Sequence, residues 1–307
     1  MSGWAPALTK SSQPGIVNAM KIPQTLRYVS VFMLALALNA SYKCAEAKPS
    51  VTQSHTPHRI ISLLPSITEM LYALKCDKRM VADTTYCDFP PAARKLPKIG
   101  DLNVNYERLL ALHPDLVAAD SVANRSSIAK LRSLKVPLVV ISSTNYTEVL
   151  HALRVLGRAT GTLPQANRVV EHMTNQRRQA AFIVARDKSS APRVLAVVGV
   201  SPLWVAGRST FIDDLIRLAG GINVARNSDG YGSLSKELLL TLRPNVIVGS
   251  SNDIDSLSKD PIVNYLPAYK NHRMIVFPNP DILSRPGPRL GDALLILTNL
   301  LHPNVRR

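Results

Sequence analysis

The 307-residue chain is poor in the residues that most often announce chemistry. It holds three cysteines, Cys44, Cys76 and Cys87, too few for a cysteine-built zinc module or a dense disulfide scaffold. Its seven histidines (His55, His58, His113, His151, His172, His272 and His302) form no His-rich loop and no spaced pair of the metal-ligand kind. A site for a bare zinc or manganese ion is therefore not expected. Catalytic signatures are missing too. Gly199-Val-Ser201-Pro-Leu203 lacks the closing glycine of a nucleophile elbow. Gly207-Arg208-Ser209 has arginine where a phosphate loop needs lysine, and no earlier glycine at the right spacing. Gly230-Tyr-Gly232 is followed by no third glycine. Acidic residues are scarce, 21 against 37 lysines and arginines, a net charge of +16. That excess suits an anionic partner or ligand. The basic residues are scattered, Arg177-Arg178 being the nearest thing to a cluster, and no basic stripe is interleaved with aromatics. Nucleic acid is not an expected partner.

What is present begins at the N-terminus. Lys21 and Arg27 precede an apolar run, Tyr28–Leu38, and Ala45-Glu46-Ala47 follows with small-x-small spacing. The run is too short to span a bilayer and reads as a secretory signal peptide cleaved after Ala47, with Met20 as the natural start. Ser41-Tyr42-Lys43 before Cys44 is not the small-residue context that lipidation wants. Cleavage would leave Cys76 and Cys87 in an oxidising compartment, the periplasm, where they either pair or stay as two buried thiols.

From residue 57 the pattern alternates strand and helix, which predicts parallel sheets covered on both faces. Arg59–Leu64 reads as a strand, with Ser66 available to cap the helix Ile67–Leu74. Leu116–Ala118 and Leu138–Ile141 read as buried strands, and Ile128–Leu134 and Glu148–Ala159 as helices. The second half restarts with the strand Arg193–Val198 and the helix Phe211–Leu218, stopped by Gly220-Gly221. Val246–Val248, Met274–Phe277 and the closing helix Arg289–Leu301 follow. Glu107–Val117 and Glu237–Ile247 match segment to segment: an acid, a short apolar helix, a basic residue, Pro, Asp or Asn, then a strand. Asn105 and Ser235 stand as caps two residues before each acid. Two such segments at equivalent places argue for two lobes of like build. Between them Pro164–Arg186 has no internal proline or glycine and reads as one helix of about 33 Å, with Val169, Val170, Met173, Ala180, Ala181 and Val184 on or near one face. The expected organisation is a signal peptide over 1–47, an N-terminal lobe over 48–161, an inter-lobe helix over 162–188 and a C-terminal lobe over 189–307. A stiff linker predicts a cleft with little hinge motion.

Only 5% of residues are aromatic, yet several fall where strand ends should meet that cleft. Tyr86 lies in Thr84–Pro91, Trp204 just after the strand Arg193–Val198, and Tyr231 in a glycine-rich loop. In open α/β sheets ligands bind beyond the carboxyl ends of the strands. Three aromatics there suggest a pocket for a large, flat, partly apolar ligand. Asp281 and Arg285 follow the strand Met274–Phe277, where they either pair on the surface or hydrogen-bond a ligand.

Arg59–Leu74, Tyr86–Pro91, Lys98-Ile-Gly100 and Glu107–Val117 resemble the helical-backbone metal-receptor family, the class III solute-binding proteins, over about residues 57–302. The resemblance implies an α/β fold of two Rossmann-like lobes joined by one long helix, and a non-enzymatic exported receptor. It implies a monomer that hands a large metal chelate to the permease and ATPase of an ABC importer. It places Ser66, Tyr86, Trp204, Tyr231, Asp281 and Arg285 at ligand-contacting positions, and Glu107 and Glu237 at the transporter-docking acids. Cobalamin or another corrinoid is the ligand first implied, and no separate cofactor. An aromatic that corrinoid receptors carry near Gly100-Asp101 is absent here, so haem and ferric siderophores stand as alternatives. A tetrapyrrole-processing enzyme or chelatase is the alternative of another class, which the lack of a convergent acid, base and nucleophile disfavours.

Overall fold

The computed structural model describes residues 56–305. The apolar run Tyr28–Leu38, Cys44 and the expected cleavage point after Ala47 lie outside the described residues. Among the described residues no helix is long and apolar enough to cross a membrane.

The chain opens with β1 (Ile60–Ser62), α1 (Pro65–Ala73), β2 (Met80–Ala82), α2 (Tyr106–Ala111), β3 (Leu116–Asp120), α3 (Arg125–Ser133), β4 (Leu138–Ile141) and α4 (Tyr146–Ala159). Its four strands run parallel in the order β2-β1-β3-β4. Their near-continuous apolar sequences are what a sheet covered on both faces requires. One correction applies at the start. Ser66 does not cap α1: the N-cap is Leu64, with no side-chain hydrogen bond, and Pro65 takes the first turn. A proline there sacrifices no intrahelical bond.

The joining helix α5 (Leu163–Arg186) runs unbroken for 24 residues, about 36 Å. It buries Ala166, Val170, Met173, Gln176 and Ala180, while Ala181 is exposed rather than part of that face.

Beyond it come β5 (Arg193–Val200), β6 (Leu203–Ala206), α6 (Phe211–Leu218), β7 (Ile222–Asn223), β8 (Tyr231–Ser233), α7 (Leu238–Leu242), β9 (Val246–Gly249), α8 (Ser251–Ser258), α9 (Pro267–Lys270), β10 (Met274–Val276) and α10 (Leu290–Leu301). The second sheet has the order β10-β9-β5-β6-β8, with β7 also on β5. It is mixed, not wholly parallel: β5 with β9 and β9 with β10 are parallel, but β6 lies antiparallel to both β5 and β8. The seven residues Ser201–Gly207 hold a tight turn and a returning strand, which strand–helix alternation alone did not anticipate.

The long helix is packed on both sides, by α4 and by α10. Tyr146 donates its hydroxyl to the Met173 carbonyl at 2.7 Å, and Gln176 donates to Asp292 at 2.5 Å. A Cβ on Gly157 would lie 2.6 Å from the Ala166 Cβ, so glycine is what lets α4 approach. One apolar core runs through these helices from Ile60 and Met70 of the first lobe to Phe211, Leu215 and Leu294 of the second. Each sheet's other face has its own smaller core.

Candidate ligand-binding cleft

Strand ends of both lobes converge on one cavity of about 350 Å³. The first lobe supplies Leu64, Pro65 and Ser66 after β1, Asp120, Val122 and Ala123 at the end of β3, and Ser143 and Thr144 after β4. The second supplies Ser209 to Phe211, Gly230 and Tyr231, and Ser284 to Pro286 after β10. The wall is thus apolar (Leu64, Pro65, Phe211, Pro286) with hydroxyls, one carboxylate and one guanidinium set into it. That mixture suits a large organic ligand with a few polar substituents.

The polar groups are held rigidly. Asp120 is buried; its Oδ1 accepts from the backbone N–H groups of Val122 and Ala123 at 2.9 and 3.1 Å, and its Oδ2 from Ser143 Oγ at 2.8 Å. Ser209 sits at φ 65°, a left-handed conformation uncommon outside glycine. Its loop is clamped by backbone bonds between Gly207, Arg208, Ser228 and Gly230 of 2.7–2.8 Å. A Cβ on Gly207 would come within 2.4 Å of the Ser228 carbonyl, so only glycine fits this crossing.

Arg285 is no isolated surface pair. Its side chain is 14% exposed and donates to Asp88 of the first lobe at 2.5 Å, with Glu69 at 3.7 Å and Asp281 at 3.9 Å. Burial would lower its pKa, but the Asp88, Asp281 and Glu69 carboxylates outweigh that and raise it. Arg289 grips the buried Glu69 with two hydrogen bonds, 2.6 and 2.8 Å, and its guanidinium lies 3.9 Å over the Phe89 ring. Burial raises the Glu69 pKa even so, against the pull of Arg289 and Arg285. These groups tie α1 and the Thr84–Pro91 loop to the segment that opens α10.

Of the residues singled out from sequence, Ser66, Tyr231 and Arg285 meet at the cavity and Asp281 stands beside Arg285. Tyr86 and Trp204 are not among its lining. Both are largely exposed, Tyr86 on its loop and Trp204 within β6, not in a turn after β5; it pairs Gly199 and Ser233. Tyr231 likewise opens a strand, β8, opposite Ala206. Cys76 and Cys87 are free, which corrects the disulfide alternative. Cys76 faces Thr162 and Arg79, whereas Cys87 lies 3.2 Å from Thr68 and from Thr84. Asp120, Ser143, Thr144, Ser209 and Thr210 were missed. Asp120 and Ser143 follow from the strand-end rule that suggested the aromatics, since each lies at or just past the end of a strand. Glu107 and Glu237 are exposed at the starts of α2 and α7. Among the described residues no three His, Cys, Asp or Glu side chains gather to hold a metal ion.

Comparison with known proteins places this arrangement in a class. The chain matches the periplasmic binding protein family over residues 60–280 and belongs to it. It is 28% identical over 265 residues to an uncharacterized ABC transporter substrate-binding lipoprotein of Bacillus subtilis, covering 83% of each chain. It is 28% identical to the vitamin B12-binding protein of Pectobacterium atrosepticum, covering 76% of this chain and 85% of that one. Among solved structures, the periplasmic vitamin B12-binding protein of Vibrio cholerae superposes with a TM-score of 0.73 at 25% identity, over 80% of this chain and 97% of that one. A periplasmic heme-binding protein of Roseiflexus superposes with a TM-score of 0.72 at 28% identity, over 81% and 99%. The fold is that of the class III periplasmic binding proteins, a family of solute-binding receptors whose relatives serve ABC transporters.

Proposed function

We propose that this protein captures cobalamin or a related corrinoid in the cleft and delivers it to the permease and ATPase of an ABC importer, working as a monomer in the periplasm after removal of its signal peptide. The observation that carries the reading is the cavity itself, built from both lobes with an apolar wall, the half-exposed ring of Tyr231 and the fixed polar groups of Asp120 and Arg285. The family the chain belongs to is one of periplasmic binding proteins, which supports a receptor over a chelatase or other tetrapyrrole-processing enzyme. Tyr86 and Trp204, exposed outside the cavity, are assigned to the rim of a ligand too large for the cavity alone. Glu107 and Glu237 are assigned to docking on the permease.

Haem or a ferric siderophore is the second reading. Tyr231 favours it, because a tyrosinate can ligate ferric iron. The deciding experiment incubates purified protein with cobalamin, haem or a ferric siderophore, desalts it and records the absorbance spectrum. Retained corrin bands are expected. A retained Soret band without corrin bands replaces the ligand by haem, and a ferric-chelate band alone replaces it by a siderophore. Retention of none removes the chelate-receptor reading. The shared helical core further predicts a radius of gyration nearly equal in free and saturated protein; a marked drop on saturation would show hinge closure instead.

A further inference from the structure

We propose that a second, polar concavity beside the cleft is a subsite for an anionic substituent of the ligand, a phosphate or a carboxylate; this rests on the receptor reading above. The concavity has a volume of about 370 Å³ and shares Thr144, Ser209 and Thr210 with the main cavity, so the two adjoin. Asn145 of the first lobe lines it, and so do Arg208, Arg217 and Arg226 of the second. The apolar cavity would take the body of the chelate, and this annex would take what projects from it.

Each arginine is steadied along one edge. Arg226 Nε lies 3.2 Å from Asp213, and Arg217 pairs with Asp214 one turn back on α6. Arg208 Nε is 3.5 Å from Asp229, a loose pair with both side chains more than half exposed. The two lining aspartates are fixed in turn. Asp213 accepts from Asn223 Nδ2 at 3.0 Å, and Asp214 accepts from the Tyr146 backbone N–H at 2.9 Å. A guanidinium carries five N–H donors, so one carboxylate contact leaves most of its fork unused. The three arginine side chains are 53–60% exposed. The Arg208–Asp229 pair is exposed on both sides and adds little to stability; Arg217 and Arg226 pair with aspartates that are 14% and 8% exposed, yet each leaves more than half of its own side chain open. The lining itself holds three arginines and two aspartates, with Asp229 reaching Arg208 from outside it at 3.5 Å. Phosphate and carboxylate are the groups whose planar or tetrahedral oxygens such forks match. The clamped loop at Gly207 and Ser209 fixes the backbone that carries Arg208.

The test compares wild type with the triple variant Arg208→Gln, Arg217→Gln, Arg226→Gln, with thermal unfolding as the control for folding. Calorimetry uses two probe pairs: cobalamin against cobinamide, which lacks the phosphate-bearing nucleotide, and haem against its dimethyl ester. The member that carries the anionic group, in whichever pair binds, should weaken about tenfold or more in the variant, and the member that lacks it should hold its affinity. A parallel titration with inorganic phosphate alone follows the arginine Nε–H resonances. Millimolar phosphate should shift the three arginines in wild type, and the single variant Arg226→Gln should blunt the shifts of the other two. Equal weakening of both members of a pair overturns the proposal, as does a phosphate titration that moves none of the three. If neither cobalamin nor haem binds, the phosphate titration still decides the subsite.

Discussion

The two lobes share a scaffold down to individual hydrogen bonds and differ in what is added to it. In the first lobe the Arg59 backbone N–H donates to Asp115 at 2.7 Å and its guanidinium to the Leu112 carbonyl at 2.7 and 2.8 Å. In the second, Arg193 does the same to Asn245 at 2.7 Å and to the Leu242 carbonyl at 2.8 Å. His113 and Arg243 each turn the chain before a proline with a left-handed φ, 41° and 44°. Asn105 and Ser235 each accept from the N–H three residues on. What the first lobe lacks is the antiparallel extension β6-β8. That extension carries Trp204, Tyr231 and the loop of Arg208 and Ser209. The repeated half of the architecture holds the lobes in shape, and the unrepeated half brings Tyr231 to the cavity and Arg208 to the concavity beside it.

The sharpest way to break this comparison is to ask whether the lobes are independent copies. Arg289→Met removes the partner of Glu69 across the lobes and leaves a carboxylate that is 3% exposed with only Arg285 near it, at 3.7 Å. Stranding a buried charge in this way costs about 3–5 kcal/mol. Denaturant unfolding should keep one transition, moved to lower denaturant by that amount. Two separated transitions, or none moved, would mean that the lobes are not coupled through this pair.

The next largest effect falls on the unrepeated extension. Trp204→Ala should weaken ligand binding by about 1–3 kcal/mol while changing stability less, because the ring is 42% exposed and outside the core. Normal binding with early unfolding would make Trp204 a structural residue of β6.

A smaller effect belongs to the first lobe alone. Asp83 has no exposed side-chain surface, pairs with Lys98 at 2.6 Å and leaves Oδ2 without a partner. Burial, against the pull of Lys98, raises its pKa to about 6 from 3.8. The folded state therefore holds this proton more tightly than the unfolded chain does. Its stabilising contribution is complete below the unfolded pKa and is lost as the pH rises through about 6. Asp83→Asn should gain on wild type between about pH 5 and pH 8, by on the order of 1–2 kcal/mol. A stability difference that is flat with pH would show that Lys98 keeps the carboxylate charged.

How much of this was legible in the sequence follows from the same comparison. The parallel βα units were readable because buried strands are short apolar runs and their helices repeat apolar residues every three or four positions. Leu138–Ile141 and Phe211–Leu218 fall where periodicity puts them. The antiparallel extension was not readable, because a returning strand of four residues after Ser201-Pro202 has too few positions to show a period. Trp204 and Tyr231 were therefore noticed as residues and placed on the wrong kind of element. Arg285 could be read only against its neighbour Asp281; Glu69 and Asp88 are about 200 residues away in sequence, and only the fold brings them together.

The smallest expected effect on the molecule itself is also the test of the repeated scaffold. Glu107 and Glu237 open α2 and α7, the equivalent helices of the two lobes, and both are exposed. Locally, an acid at that place favours its helix by about 0.3–1 kcal/mol through the helix dipole, a role each fills without the other. A docking role needs both, since a permease with two-fold symmetry would present two matching basic sites. Exposed charges of this kind steer encounter and fix register more than they add affinity. Reversing both to lysine should thus shift stability by no more than about 1 kcal/mol and leave ligand affinity unchanged. Uptake in cells and binding to the reconstituted permease and ATPase should fall, most steeply at low salt, where charge repulsion is least screened. Uptake at the normal rate by the double variant would confine the two acids to their helix ends.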